Sequence, residues 1–442
     1  METVVPDQPV VDPAVAHPSP RWSLGLRVGF RLAFIYFGLY VISTQMLNSL
    51  VILPFAFIPN LGSLGWTRTA VAWVAHHVFR ANYAFPTTLT GSGDRTVDWV
   101  LNAIILAIAI AGAGLWSIVD RRRPNHAALH KWFQVFVRFA LGATMISYGM
   151  LKVFPLQMSY PNLTRLLEPY GSFSPMGVLW ASIGAAPGYE RFAGSMELMA
   201  GILLFVPRLS TLGAMVAFAD AVQIFLLNMT YDVPVKLFAF QLILMSLYLL
   251  APETPRLTRA VILNGSAGPS PVPPLARRKA VALTLTLVQI LYGGYIVAMH
   301  YWPSKRSWAS VTAPKPPLYG IWTVEQMTVD GVERAPLVSD YGRWRRIVIQ
   351  NSTTVWFQRM DDSFVTYASK TDVSARTLTL NRPGDQSSTT VFSYQQPDAD
   401  QLVLDGTMNG HRIALSTRLF DRSRFQLVSR GFHWIQENPF NK

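Results

Sequence analysis

Seven apolar stretches of bilayer-crossing length fall in the first 299 residues of this 442-residue chain. They lie at about 24–55, 98–119, 132–154, 190–206, 210–228, 234–250 and 280–299. The last, AVALTLTLVQILYGGYIVAM, contains no charge. An α-helix needs roughly 20 such residues to cross the hydrocarbon core. Lipid offers the backbone no hydrogen bonds, so these stretches must be helices. The expectation is a polytopic α-helical membrane bundle over 24–302 with an all-β domain after it.

Composition agrees. Half of the residues are hydrophobic and 14% are charged, against about 25% charged in soluble proteins. The net charge of +13 sits mostly between spans, where it sets orientation rather than marking a nucleic-acid partner. One side carries Arg21, Arg27 and Arg31, then Arg121, Arg122, Arg123 and Lys131, then Arg208, then Arg256, Arg259, Arg277, Arg278 and Lys279. The positive-inside rule puts that side, and an N-terminal tail over 1–23, in the cytoplasm. Seven spans then put the C-terminus outside a bacterial cytoplasmic (inner) membrane. The start does not read as a signal peptide, being acidic and Pro-rich before a long apolar stretch. With no cysteine, disulfides, thiol catalysis and Cys-ligated clusters are excluded.

Residues 264–275, NGSAGPSPVPPL, form a Gly/Ser/Pro-rich connection, and 303–318 read as a Pro-rich linker that holds the next domain near the membrane. From 319 to 442 the pattern becomes short alternating segments. Turn signals separate them at Asp330-Gly331, Asn351-Ser352, Asp361-Asp362, Pro383-Gly384 and Asn409-Gly410. That spacing predicts an antiparallel barrel or sandwich. Gly320-Ile321-Trp322 resembles the Gly-x-Trp signature of lipocalin-like barrels. The resemblance implies Trp322 at the barrel base with an arginine of the last strand stacked over it, for which Arg430 is the candidate. The aromatic ending RGFHWIQENPFN (430–441) reads either as a tail docked at the lipid interface or as a packed end of the barrel.

Charges inside spans are the suspects for function, since lone charges in hydrocarbon are costly. Lys152 falls toward the outer end of the third span, Arg138 in its inner half, Glu197 mid-fourth and Asp220 mid-fifth. By depth, Lys152 is nearer Glu197 and Arg138 nearer Asp220. Asp232 precedes Pro234, the expected start of the sixth span, where its carboxylate would favour the helix dipole. The sharper reading gathers Lys152, Gln157, Glu197, Asp232 and Lys236 into one outward-facing polar pocket, with Tyr148, Lys152 and Gln157 as hydrogen-bond donors to a quinone headgroup. Gly91-Ser92-Gly93-Asp94 reads as a turn rather than an anion cradle, with Asp94 or Thr96 capping the second span. His76-His77 point apart on a helix, and His126 and His130 fit a solvated basic loop. No metal is expected.

Four segments carry a second resemblance: YGMLKVFPLQ (148–157), LLEPYGSFSPMGVLW (166–180), ERFAGSMELMAGILLFVPRLSTLGA (190–214) and NMTYDVPVKL (228–237). Together they resemble the DoxX family, a four-span unit covering about 132–251. TGSGDRTVDW (90–99) and the aromatic ending resemble a longer DoxX-like bacterial group, which adds spans and an outer β domain. Shorter relatives include subunits of thiosulfate:quinone oxidoreductases. The resemblance implies a redox- or quinone-linked membrane component, working with membrane lipid and a partner redox subunit or periplasmic protein. The competing expectation is a non-enzymatic anchor or scaffold whose β domain holds an apolar ligand or partner.

Overall fold

The computed structural model describes residues 21–54, 56–81, 90–270, 275–276, 278–382 and 385–441. Most of the N-terminal tail, Arg277 and the turn at Pro383-Gly384 therefore lie outside the described residues. The chain divides into two compact units. The first comprises Met1–Tyr148, Met196–Met229 and Val233–Met299; the second comprises Gly149–Ser195, Thr230–Asp232 and His300–Lys442.

The helices are α1 (Leu24–Ser43), α2 (Gln45–Leu50), α3 (Gly65–His77), α4 (Thr96–Val119), α5 (Ala127–Val153), α6 (Leu163–Leu167), α7 (Pro175–Ala185), α8 (Pro187–Phe205), α9 (Ser210–Thr230), α10 (Lys236–Leu250), α11 (Thr254–Leu257), α12 (Lys279–Val311) and α13 (Gln426–Ser429). Among the described residues six helical segments are long and apolar enough to cross a bilayer: α1, α4, α5, α9, α12 and the stretch Lys236–Ile262 that begins with α10. The protein is a membrane protein. The expected fourth span coincides with α8, which is 19 residues long but carries Glu190, Arg191 and Glu197. It therefore falls outside those six.

Two expectations are corrected. The first span is not one helix over 24–55. It ends at Ser43, because Thr44 turns extended (φ −122°, ψ 178°) and its hydroxyl accepts from the Met46 N–H to cap α2. The irregular backbone that follows has its polar groups covered: the hydroxyls of Tyr292 and Tyr295 on α12 donate to the carbonyls of Leu50 and Ile52. Such cover is what makes broken helices tolerable at membrane depth. The linker is also shorter than read. α12 runs through Pro303 to Val311, 33 residues, or about 50 Å at the helical rise. The sequence reading stopped where apolarity stopped, yet Lys305 and Arg306 continue the helix.

Glycines set the closest helix approach. In the first unit a Cβ on Gly142 (α5) would lie 3.1 Å from the Gly201 carbonyl, and one on Gly201 (α8) 2.7 Å from the Gly142 carbonyl. In the second unit a Cβ on Gly194 would lie 2.7 Å from the Gly149 carbonyl. Small residues at such crossings let backbones touch where lipid gives no hydrophobic drive.

The second unit contains the β domain: β1 (Gly320–Val329), β2 (Val332–Glu333), β3 (Trp344–Ile349), β4 (Thr354–Arg359), β5 (Phe364–Asp372), β6 (Thr377–Arg382), β7 (Asp385–Gln395), β8 (Gln401–Met408) and β9 (His411–Leu419). β2 is a two-residue extension of the first hairpin. The other eight run antiparallel in order, and β1 pairs with β9 to close the barrel. This is the up-and-down arrangement of lipocalin-type barrels. Asp330-Gly331 and Asn409-Gly410 both have positive φ at each residue, the hairpin geometry that Asp-Gly and Asn-Gly favour.

Trp322 lies in the core, 1% exposed, and its indole N–H donates to the Leu318 carbonyl at 2.8 Å. Around it Ile347, Phe357, Leu378, Leu380, Phe392, Leu402 and Leu415 fill the barrel. Gly320 is required at the seam, since a Cβ there would stand 2.4 Å from the Leu419 side chain. The arginine expected over Trp322 is not there: Arg430 lies beyond β9 and stacks on Phe440 at 4.0 Å. The ending is a separate folded segment rather than a last strand. On the outer wall, Ile321 and Val348 are covered by Leu163 of α6, with Phe420 and Phe425 against them.

Candidate functional site

The structure distributes the sequence-derived residues over both units. Lys152, Gln157 and Asp232 belong to the second; Tyr148, Glu197 and Lys236 to the first.

In the second unit, Lys152 (7% exposed) and Glu190 (fully buried) form the heart of a polar cluster. Glu190 Oε1 accepts from the Met158 N–H at 2.9 Å, and Lys152 lies close enough to act on the carboxylate electrostatically. The Trp180 indole N–H donates to the Gln157 carbonyl at 3.0 Å. Two buried acceptors, Gln157 Oε1 and Glu190 Oε2, have no partner among the described residues. Gly194 makes room for the lysine stem, since a Cβ there would lie 2.6 Å from Lys152 Cβ. Glu190 was missed by the sequence reading because it stands at the first turn of its helix, where a carboxylate passes for a dipole partner.

In the first unit Tyr148 accepts from Gln45 Nε2 at 3.0 Å, packs on Phe238 and feels the charge of Glu197. Arg138 is a cross-tie. Its Nε donates to the Leu204 carbonyl in the last turn of α8 at 3.0 Å, and Nη2 to Gln289 Oε1 on α12 at 2.8 Å. Asp220 sits half-buried in mid-α9.

The start of α10 is capped from a distant segment. Asp94 caps it: its carboxylate accepts from the N–H groups of Lys236 and Leu237 at 2.7 and 2.9 Å. The Gly93 N–H donates to the Pro234 carbonyl at 2.7 Å. The 91–94 turn is thus a strap on α10 rather than a cap on α4. A carboxylate brought from another segment satisfies the same orphan donors that a local cap would. Asp232 has a left-handed φ of 51°, a turn position that leads the chain into α10.

Lys236 opens a groove of about 950 Å³ lined by α1, α4, α9 and α10. The walls are apolar: Leu32, Ala33, Leu106, Phe225, Phe240 and Leu244. Neutral polar side chains interrupt them: Tyr36, Asn102, Gln241 and Tyr248. Gln241 Nε2 donates to the Tyr36 hydroxyl at 2.8 Å, and that hydroxyl donates to Asn102 Oδ1 at 2.8 Å. Gln241 is 1% exposed. Its Oε1 and the hydroxyl of Tyr248, two turns on, are buried with no partner among the described residues. Lining residues run from Lys236 to Ala251, roughly 22 Å of helix. The sequence signal was a few uncharged polar residues scattered over three apolar spans, which a search for charges passes over.

His126 is buried, not solvated. Arg31 Nε donates to His126 Nε2 at 3.1 Å, Nη1 to Ser117 Oγ at 3.0 Å and Nη2 to the Asp120 carbonyl at 2.9 Å. Burial, and then the Arg31 guanidinium beside it, hold the imidazole below the ordinary histidine range.

No family profile matches the chain, and no solved structure matches it. Over 123 residues, 28% of this chain and 78% of the relative, it is 30% identical to the uncharacterised protein YwoB of Bacillus subtilis. The chain belongs to the YwoB family. That kinship carries no activity with it, so the function of this YwoB relative rests on its own groove and polar clusters.

Proposed function

We propose that the protein binds a long-chain, lipid-soluble molecule of the quinone class and serves as a component of membrane redox metabolism. The observation that carries this reading is the α10 groove. The hydrocarbon core is about 30 Å thick, so one leaflet offers an acyl chain roughly 15 Å. A groove of roughly 22 Å outruns that leaflet and fits an isoprenoid tail that crosses the midplane better. The Tyr36–Asn102–Gln241 trio lies about one and a half turns below the Lys236 end and offers both donors and acceptors, which suits a headgroup that alternates between carbonyl and hydroxyl. The resemblance to DoxX-like proteins, some of them subunits of quinone-linked oxidoreductases, supports the same class. Electrons would then come from a partner subunit. The β barrel, filled by its own side chains, contributes its outer surface rather than a ligand pocket.

Organic extraction of the purified full chain, followed by mass spectrometry, tests the reading. The expected result is a prenylated quinone that is lost from Gln241→Leu and reduced in Tyr36→Phe. Phospholipid alone, in the parent and both variants, would overturn it.

A further inference from the structure

The C-terminal segment has a shape that neither the barrel nor the groove uses. Arg430 staples it into a loop: the guanidinium lies over the Phe440 ring at 4.0 Å, and Nη2 donates to Gln436 Oε1 at 2.7 Å. The tip between these anchors is apolar and turned to the outside. Trp434 is 91% exposed, Ile435 81% and Phe432 76%, and the Phe432 and Trp434 rings brace each other edge to face at 4.9 Å. A tip held open in this way costs free energy in water, so something covers it.

The root of the loop is tied to the helix ends of the same unit. Past α5 the chain folds back, with the Leu156 and Gln157 N–H groups donating to the Leu151 carbonyl. Met158 is then fixed to Glu190 in the first turn of α8. Two residues on, the Tyr160 hydroxyl donates to the Val428 carbonyl at 3.4 Å. Residue 428 therefore stands at the level where α5 ends and α8 begins. An aromatic belt marks the same level: Phe154 meets Tyr301 at 5.6 Å, and Lys305 reaches over Tyr301 and the exposed Trp302. Trp and Tyr gather at the membrane–water interface. The same stretch of chain carries Arg422, Arg424 and Arg430 against Asp421 and Glu437, a cationic surplus that complements anionic headgroups.

We propose that residues 430–440 form an aromatic foot, which inserts Phe432, Trp434 and Ile435 into the headgroup region of an anionic phospholipid bilayer and holds the barrel against it. The foot is independent of the quinone reading, and of which side of the membrane the barrel occupies.

The chain has no cysteine, so Trp434→Cys gives a single labelling site. The full chain, labelled there with bimane in nanodiscs containing phosphatidylglycerol, should lose most of its fluorescence to nitroxide attached near the lipid headgroup and little to aqueous iodide. Asp398→Cys, on an exposed barrel turn, should show the reverse. Ile435→Cys repeats the measurement should the tryptophan variant misfold. Iodide quenching at 434 and 435 equal to that at 398, with no lipid quenching, would overturn the proposal. Protection from both quenchers would overturn it too, by assigning the tip to a protein surface.

Discussion

Arg31 and His126 show what one pair of residues asks of pH. His126 Nε2 accepts the Arg31 N–H, so the ring is neutral with its proton on Nδ1, an atom buried without a partner among the described residues. The folded pKa is lowered, so the unfolded chain binds this proton first. Stability then falls as pH drops below the unfolded value of about 6.5. Thermal unfolding of the full chain in detergent should show a midpoint that declines from pH 7.5 toward 5.5. His126→Gln, which keeps an acceptor and removes the titration, should flatten that slope; an equal slope in both would contradict the assignment. At this scale the sequence was legible for charge and illegible for burial. Arg31 reads as an orientation signal and His126 as a loop residue, because nothing local says that α1 and α4 close over them. Asp94 was likewise read as a local cap, since no spacing rule links it to a helix start 142 residues away.

At the level of elements the glycines decide more than the apolar residues around them. Gly142 and Gly149 on α5, and Gly194 and Gly201 on α8, each recur after seven residues, the repeat that keeps one face of a helix against its neighbour. Gly201→Ala puts a methyl against the Gly142 carbonyl and Ile146. The expected cost is about 1–3 kcal/mol of overpacking, seen as a lower thermal midpoint; a variant with unchanged stability would show that the helices part freely. In the barrel, Trp322→Ala removes a fully buried ring and the hydrogen bond to Leu318, with an expected loss of about 3–5 kcal/mol. Limited proteolysis of the full chain under rising denaturant reads it out, and wild-type resistance would refute the core placement. Strand alternation and Asp-Gly and Asn-Gly turns made the barrel legible in advance. The break at Thr44, and the run of α12 past Pro303, were hidden because apolarity marks what lipid touches and not where hydrogen bonding stops.

For the whole molecule, orientation is the open quantity that charge alone addresses. With α8 counted as a seventh span, the alternation of basic connections predicts a barrel outside the cytoplasm, so alkaline phosphatase fused after Lys442 should be active in intact bacteria. An inactive phosphatase with a fluorescent cytoplasmic reporter at the same point would reverse the topology. Bundle plus barrel could be read from the sequence, since each period belongs to one kind of element. The α10 groove could not, because it is assembled from four helices, each of which looks ordinary alone.

The seam of the barrel has a consequence in time. β1 pairs with β9, joining Val324 to Thr417 and Val329 to Ile413, so the first strand made must wait for the last. Synthesis runs from the N-terminus, and helices can insert as they emerge. The barrel cannot close until its final strand has been delivered, and until then β1 and β8 are unpaired edges open to other chains. A nascent chain stalled or clipped before residue 411 would leave an inserted bundle carrying an open sheet. β9 therefore works as a completion check: once finished, it turns an aggregation-prone intermediate into a closed domain.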